Sequence, residues 1–232
     1  MSFDEIQERI RAESIPIFQR LKFDATNWRD LAPVLLSCAI MESIEAVCIL
    51  GQAGKKIQAE VILRAALEQY VALHLVCKSP VWIDGMLLRE KEDRKKTFKR
   101  AKQGNSYFSK FKDFYDIDDL IAQNSREIDK LKASGAQWGS AAERFRAAGQ
   151  VETYEGLYHM LSDSVHSNLI ALQNRYLKIQ DDKLVVVMNE AQEPPDLEAI
   201  EGSTFELLEL LEATISHRFL SGQWRFENEA PD

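Results

Sequence analysis

The sequence is poor in the two residues that mark turns. Its 232 residues include six prolines and ten glycines. Folds made of many strands use both residues at their turns, so this scarcity favours long helices. With 45% hydrophobic and 28% charged residues, the composition is that of a soluble globular protein. We therefore expect an all-α protein whose single core folds without a disulfide or a metal.

Cysteine is also scarce, and the chain lacks the features of a secretory signal. Cys38, Cys48 and Cys77 form no CxxC pair and lie within apolar helical segments, so we interpret them as small buried hydrophobic residues. The N-terminal segment MSFDEIQERIRAES is acidic and amphipathic, and the longest apolar run, LAPVLLSCAIM, is too short to cross a bilayer. These features predict a cytoplasmic protein with no membrane partner.

Common ligand-binding motifs are absent as well. GQAGKK lacks the spacing and the Ser or Thr of a phosphate-binding loop, and no segment fits GxGxxG. DIDDLIAQNSRE begins like a calcium loop, but Leu120 and Ile121 occupy positions that need a ligand and a glycine. We therefore predict no cofactor.

Apolar residues at helical spacing divide the chain into six or seven helices. The predicted helix over residues 55–78 is apolar almost all round from Val61 to Val76. This is typical of the central helix of a bundle. The alternating pattern around Asp181 and Asp182 predicts a β-hairpin. The expected single domain over residues 1–232 comprises an N-terminal helical segment in 1–27 that Pro16 bends or interrupts, a helical core in 28–174, the hairpin in 175–190 and a C-terminal helix in 203–221.

Two sets of polar residues fall on faces that otherwise look buried. Arg64 and Glu68 are one turn apart on the central helix. Tyr158, Ser162 and His166 recur every four residues in YHMLSDSVHS. Isolated buried charges are costly unless they are paired. We therefore expect the two helices to face each other and to join these five side chains in one polar cluster.

This cluster has two main interpretations. It can be a structural network that fixes the register of two helices, as buried ion pairs often do. Alternatively it is a candidate catalytic site, in which His166 is a general acid or base near Glu68 and Arg64 binds phosphate or stabilises negative charge. Ser162 is a weaker candidate for a nucleophile because no oxyanion hole is recognisable.

A metal site is a third, less favoured alternative. His159, Asp163 and His166 lie within about 60° on a helical wheel, and their side chains suit zinc or iron. No HExxH motif, ExxH pair or cysteine cluster supports them. We therefore predict no metal.

Positive charge is concentrated in one segment. RKKTFKRAKQGNSYFSKFK, residues 94–112, holds eight Lys or Arg and no Asp or Glu, in a chain of net charge −8. Aromatic residues alternate with these cations, and phosphate contacts combined with stacking aromatics hold single-stranded nucleic acid. The alternative is a solvated helix face whose aromatic residues lie in the core. The candidate nucleic-acid contacts are Lys95, Lys96, Lys99, Arg100, Lys102, Lys110 and Lys112.

Three parts of the chain together resemble a known family. They are ILRAALEQYVALHLV, AQWGSAAERFRAAGQVETYEGLYHMLSDSVHSN, and the hairpin with the last helix. Over about residues 30–220 the chain is similar to bacterial all-helical proteins known only as a domain of unknown function. The shared pattern is Arg-x-x-x-Glu on a central helix and, far downstream, Tyr, Ser and His at four-residue spacing. Its positions here are Arg64, Glu68, Tyr158, Ser162 and His166.

Such proteins are distantly similar to the HEPN helical domains of prokaryotic defence and toxin systems, many of which cut RNA as dimers. The resemblance implies a homodimer and an activity on RNA. The HEPN ribonuclease motif is an arginine followed after four to six residues by a histidine, and none of the four histidines here has an arginine at that distance upstream. Catalysis would therefore need Arg64 and His166 from different helices.

Two functions of different classes follow. The first, slightly favoured, is a binding or regulatory module, expected to be a homodimer, whose polar cluster is structural or holds a small anionic ligand. The second is a metal-independent ribonuclease of the toxin or phage-defence type. In it His166 is the acid or base, Arg64 contacts phosphate, and residues 94–112 grip RNA.

Overall fold

The computed structural model confirms an all-α fold. It describes residues 1–108, 110–111, 116–165, 173, 177–180, 183–186 and 197–220. This described part of the chain contains eight helices, a 3₁₀ turn at Ser106–Phe108 and one hairpin. The helices are α1 over residues 3–19, α2 Trp28–Gln52, α3 Lys56–Lys78, α4 Pro80–Lys102, α5 Ile117–Ala133, α6 Ala141–Ala147, α7 over residues 151–165 and α8 over residues 198–220.

Three of these helices contain a π-helical turn, in which one extra residue is accommodated. The π turns are Ile10–Ser14 in α1, Tyr154–Tyr158 in α7 and Ser216–Leu220 in α8. In α1 the π turn ends at Ser14, two residues before Pro16, which has no N–H to donate to the preceding turn. The Ile15 N–H bonds to the Ile10 carbonyl. The predicted disturbance at Pro16 is therefore a local change of hydrogen bonding within a continuous helix.

Helix α3 lies at the centre of the bundle, as predicted. It packs most extensively on α2 and also contacts α4, α6, α7 and α8. Its many neighbours explain why apolar side chains around most of its circumference are buried. Those buried side chains are Ala59, Leu63, Ala66, Leu67, Tyr70, Val71, Ala72, Leu73, Leu75 and Val76.

Helix α6 was not predicted. The expected helical core in 28–174 included no separate helix at residues 141–147. The structure has a seven-residue helix there because Ser140 and Glu143 form a capping box, with each side chain accepting from the other residue's backbone N–H. Arg144 and Phe145 therefore lie on a helix that contacts α3.

Helix α8 begins earlier than predicted. Its first residue is Glu198, whereas the predicted first residue is Ser203. Ile200 and Leu207 are both buried in the main core. Burial of that face extends the helix across Gly202, which the sequence pattern had placed outside it.

The predicted hairpin is confirmed. Strand β1, Leu177–Gln180, pairs antiparallel with β2, Lys183–Val186, and Gln180 lies opposite Lys183. Asp181 and Asp182, on which the prediction rested, lie outside the described residues.

Helix α4 leads from the main core to the basic segment. Near its start, Ile83 packs with Val76 of α3. Farther along, Leu88 packs with Ile128 of α5. The basic residues follow on the last turns of α4, so they lie at the end of the α4–α5 pair away from the start of α4.

Candidate functional site

The predicted polar residues of α3 meet α7 in a compact cluster. Arg64 and Glu68 form an ion pair, with 3.3 Å between Arg64 Nη2 and Glu68 Oε1. The Tyr158 hydroxyl joins the two: it accepts from Arg64 Nη2 at 2.6 Å and donates to Glu68 Oε1 at 2.8 Å. The prediction that these two helices face each other is confirmed, and Tyr158 makes the contact.

Sequence reasoning missed a fourth member of the cluster, Arg144. Its Nη2 lies 3.3 Å from Glu68 Oε2, so the two arginines bind different oxygens of one carboxylate. The Arg144 guanidinium also lies over the Trp138 ring, 4.8 Å from its centre. The capping box formed by Ser140 and Glu143 was the sequence signal that could have placed Arg144 on a helix.

Aromatic rings hold Tyr158 in position. The ring of Tyr154 stacks on it with 5.1 Å between centres and 19° between planes, and Phe145 lies 5.1 Å away. The Arg64 guanidinium lies 4.7 Å from the Tyr158 ring centre. Both tyrosines belong to the π turn of α7. Because the ring is packed on several sides, the hydroxyl is held between Arg64 and Glu68.

Ser162 is not bonded to Arg64 or Glu68, contrary to the prediction. Its buried hydroxyl donates to the Tyr158 carbonyl one turn earlier in the same helix, at 2.7 Å. A serine inside a helix commonly satisfies its hydroxyl in this way. His166, the remaining predicted member, lies outside the described residues.

The cluster is partly open to solvent. The exposed fractions of the Arg64, Glu68 and Arg144 side chains are 23%, 31% and 14%. Arg64 and Glu68 were expected on a buried face. They are half-buried and lie at the edge of the core, where α6 and α7 cover α3. Two guanidinium groups and one carboxylate give these three residues a formal charge of +1.

Both arginines keep donors without an acceptor. Nε of Arg64 and Nε of Arg144 are buried and have no hydrogen-bond partner within the described part of the chain.

The surroundings of the Tyr158 phenol change its pKa. Burial, followed by the hydrogen bond to Glu68, raises the pKa of Tyr158, against the smaller opposing effect of Arg64. The phenol therefore stays protonated and remains a donor to Glu68.

The predicted metal ligands are only partly described. The His159 ring packs edge-on against Tyr154, with 4.9 Å between centres. The side chain of Asp163 and all of His166 lie outside the described residues. Among the residues that the structure does describe, no group of three or more His, Cys, Asp or Glu side chains is placed to hold a metal ion.

The aromatic residues of the basic segment have two different environments. Phe98 and Phe108 each pack on Phe111, with 6.2 Å between ring centres. These three are half-buried and pack on one another at the end of α4. Tyr107, in contrast, is 91% exposed.

The cations of the basic segment also divide into two groups. Three form ion pairs: Arg94 with Glu90 at 2.6 Å, Lys96 with Asp93 at 3.0 Å, and Lys102 with Asp118. Within the described residues, four have no ion pair, namely Lys95, Lys99, Arg100 and Lys110. Lys112 lies outside the described residues.

Helix α2 has the length and composition of a membrane-crossing helix, and it is the one such helix in the described part of the chain. Of its most apolar stretch, 39% is buried. It packs on α1, α3 and α8, and core helices of soluble proteins have the same composition. The predicted absence of a membrane partner stays a prediction.

A family model matches residues 30–184, and its description is Family of unknown function (DUF5677). The matched residues run from α2 into the hairpin and contain all four members of the cluster. The predicted resemblance to a family of unknown function is confirmed, while the bacterial source and the relationship to HEPN domains stay predictions. No match was found among curated proteins or among solved structures. Because the model matches more than half of the 232 residues, the chain belongs to this family of unknown function.

Proposed function

We propose that this protein is a binding module that holds a small oxyanion, of the phosphate or sulfate type, between Arg64 and Arg144. The observation that carries the proposal is the convergence of two guanidinium groups on a single carboxylate, Glu68. Glu68 neutralises one of the two positive charges. An oxyanion that reaches both arginines would neutralise the other.

The balance of hydrogen-bond donors and acceptors supports the same ligand. Each guanidinium has five N–H donors. The acceptors placed against them are the Glu68 carboxylate and, for Arg64, the Tyr158 hydroxyl. The planar fork of an arginine matches the oxygens of phosphate and sulfate. The cluster is partly open to solvent, which gives a small ion access.

The two arginines are also oriented in advance. Arg64 lies over the Tyr158 ring and Arg144 over the Trp138 ring. A side chain already held in one conformation loses less entropy when a ligand binds. This preorganisation favours a dedicated site over the transient association of an ion with surface arginines.

The bonding of the two hydroxyl groups favours binding over catalysis. Ser162 donates to its own helix, so its hydroxyl is not aligned with a base in the described cluster. Tyr158 has a raised pKa and stays protonated near neutral pH, which makes it a poor general base. The predicted role of His166 as acid or base stays a prediction.

Titration calorimetry with inorganic phosphate tests the proposal. Wild type should bind phosphate, and Arg144→Gln should weaken that binding by about tenfold or more, as expected for a charge-assisted contact. Arg146→Gln is the matched control, because Arg146 is exposed on the same helix and the charge change is identical. Its affinity should equal that of wild type.

Two outcomes would contradict the proposal. One is wild type that takes up no phosphate. The other is equal weakening of phosphate binding by Arg144→Gln and Arg146→Gln. That result would show that the affinity depends on net charge and not on the position of Arg144. Circular dichroism melting of both variants establishes that each is folded during the titration.

The second candidate function is action on single-stranded RNA, as a HEPN-like ribonuclease of the toxin or phage-defence type. The observation that favours it is the group of four cations without ion pairs in the described residues, together with the exposed ring of Tyr107. Phosphates would contact the cations while a base stacks on the ring. His166 would supply the acid or base.

Cleavage of a mixed RNA by purified wild type and by His166→Ala tests this second function. A ribonuclease should cleave, and the variant should not. Reversing the charges of Lys95, Lys99 and Arg100 should weaken RNA binding, and binding by wild type should fall steeply with salt. Equal residual cleavage by wild type and by His166→Ala would indicate contamination and contradict the nuclease.

We also propose that the module is a cytoplasmic homodimer that pairs along the outer face of α2. Trp28, Leu35 and Ile49 are 50%, 52% and 55% exposed and recur at multiples of seven residues, so they share one face of the helix. Light scattering should give the mass of a dimer, and Leu35→Glu should give that of a monomer. A monomeric wild type would contradict this assembly.

A further inference from the structure

A pocket of about 320 Å³ lies between α3, α6, α7 and α8. Its volume is within the range of small-molecule sites, at the lower end. The floor is apolar and mostly buried, and it consists of Leu67, Tyr70, Val71, Phe145, Leu157, Leu207 and Leu210.

The pocket and the polar cluster are built from neighbouring residues of the same helices. On α3, Leu67 lines the pocket and Glu68 belongs to the cluster. On α6, Phe145 lines the pocket beside Arg144 of the cluster. On α7, Leu157 lines the pocket and Tyr158 belongs to the cluster. Bonds within the cluster therefore fix the backbones that form two walls of the pocket, which favours a preformed shape.

The π turn of α7 contributes to this arrangement. It contains both Leu157 and Tyr158. Single π turns within α-helices occur frequently at functional sites, where the extra residue reorients the side chains around it. Here Leu157 lines the pocket, and the next residue of the same π turn, Tyr158, belongs to the cluster.

The polar part of the lining is acidic. Gln150, Thr153 and Ser203 offer neutral groups, and the Thr153 hydroxyl donates to the Gln150 side-chain oxygen at 3.0 Å. Glu152 and Glu206 bring two carboxylates. Among the lining residues in the described part of the chain there is no Lys, Arg or His. The pocket therefore combines an apolar floor with two solvent-exposed carboxylates that have no cation beside them in the lining.

We propose that this pocket binds a small organic cation, a protonated amine carried on an apolar aryl or short alkyl body. The apolar body lies on the floor, where it is removed from water. The ammonium group faces Glu152 and Glu206, and the neutral groups accept from its N–H bonds. This site is separate from the proposed oxyanion site, and its ligand has the opposite charge.

Calorimetry with phenethylamine, which is protonated at neutral pH, tests the inference. Phenethyl alcohol is the matched neutral probe, since it keeps the aromatic body and lacks the charge. The amine should bind, and the alcohol should bind at least about tenfold more weakly, because it carries no positive charge for the two carboxylates to attract. This comparison needs only wild type.

Variants assign the binding to the pocket. Glu152→Gln together with Glu206→Gln should reduce the affinity for phenethylamine to that for the alcohol. Glu155→Gln is the control, because Glu155 is exposed on α7 and is not among the lining residues. It should bind the amine as wild type does.

Failure to bind phenethylamine, or equal affinity for the amine and the alcohol, would overturn the inference. So would equal loss of amine binding in Glu155→Gln and in the double variant. These results are distinguishable from a failure of the oxyanion proposal, which is judged by phosphate binding and by Arg144→Gln.

Discussion

The Tyr158 hydroxyl donates to the Glu68 carboxylate at 2.8 Å, and this bond connects α7 to the central helix of the bundle. The same carboxylate receives Arg64 and Arg144. Glu68 is therefore the residue on which the cluster depends, both for holding three helices together and for setting the charge that an incoming anion meets.

Glu68→Gln should lower the free energy of unfolding and raise the affinity for phosphate. An amide keeps the shape of the side chain but leaves two guanidinium groups without their counter-charge, at a cost of about 1 to 3 kcal/mol. The same loss of negative charge removes repulsion against a bound anion. Urea unfolding and phosphate titration of the one variant measure both effects. A variant as stable as wild type would show that water solvates Glu68 and its two arginines, so that their ion pairs contribute no stability.

Tyr158→Phe should cost about 1 kcal/mol near neutral pH, since one hydroxyl that bonds two partners is lost. The pKa of Tyr158 is raised in the folded protein, so the unfolded chain loses the phenol proton first. The stabilisation is therefore complete below the ordinary tyrosine pKa of about 10 and is lost as pH rises from there through the folded pKa.

The difference in unfolding free energy between wild type and Tyr158→Phe, measured over a pH series, checks this linkage. It should be constant up to about pH 10 and narrow above it. Other tyrosines are present in both proteins and cancel in the difference. A difference that widens with alkaline pH would contradict the assigned bond.

Gly85→Ala should destabilise the protein, because a Cβ at Gly85 would lie 2.3 Å from the Gln137 carbonyl oxygen. That oxygen belongs to the backbone, so α4 must move from the segment before α6, at a cost of about 1 to 3 kcal/mol. Gly202→Ala in α8 is the control. A Cβ there meets nothing within 4 Å, and alanine should stabilise the helix by about 0.5 to 1 kcal/mol. The melting temperature should fall in Gly85→Ala and rise in Gly202→Ala.

Thiol titration should find one fast cysteine and two slow ones. Cys38 is exposed. Burial raises the pKa of Cys48 to about 12 and that of Cys77 to about 11, so few of their thiols are ionised near neutral pH. An aromatic disulfide reagent should label Cys38 in the native protein and all three in urea. Rapid labelling of three thiols without denaturant would contradict the packing of α2 and α3.

The fold was largely predictable because it depends on helical periodicity. Helices α2 to α5 and the hairpin follow directly from apolar spacing and turn residues. Helix α6 was missed because it is short and depends on its capping box. Helix α8 begins before its predicted start because burial of Ile200 outweighs the helix-breaking tendency of Gly202.

The site was predictable only in part, for a related reason. Spacing identified Arg64, Glu68 and Tyr158 because each lies on a face defined within one helix. It could not identify Arg144, which reaches Glu68 across 76 positions of the sequence. Nor could it show that Ser162 bonds to its own backbone, because a helical wheel gives the direction of a side chain and not its hydrogen-bond partner.

The most direct test of the proposed oxyanion site is a crystal structure of wild type in the presence of selenate, which mimics sulfate and scatters anomalously. The proposal predicts an anomalous peak within hydrogen-bond distance of both Arg64 and Arg144, and its loss in Arg144→Gln crystals grown identically. A well-ordered cluster with no peak, or peaks confined to other arginines, would contradict it.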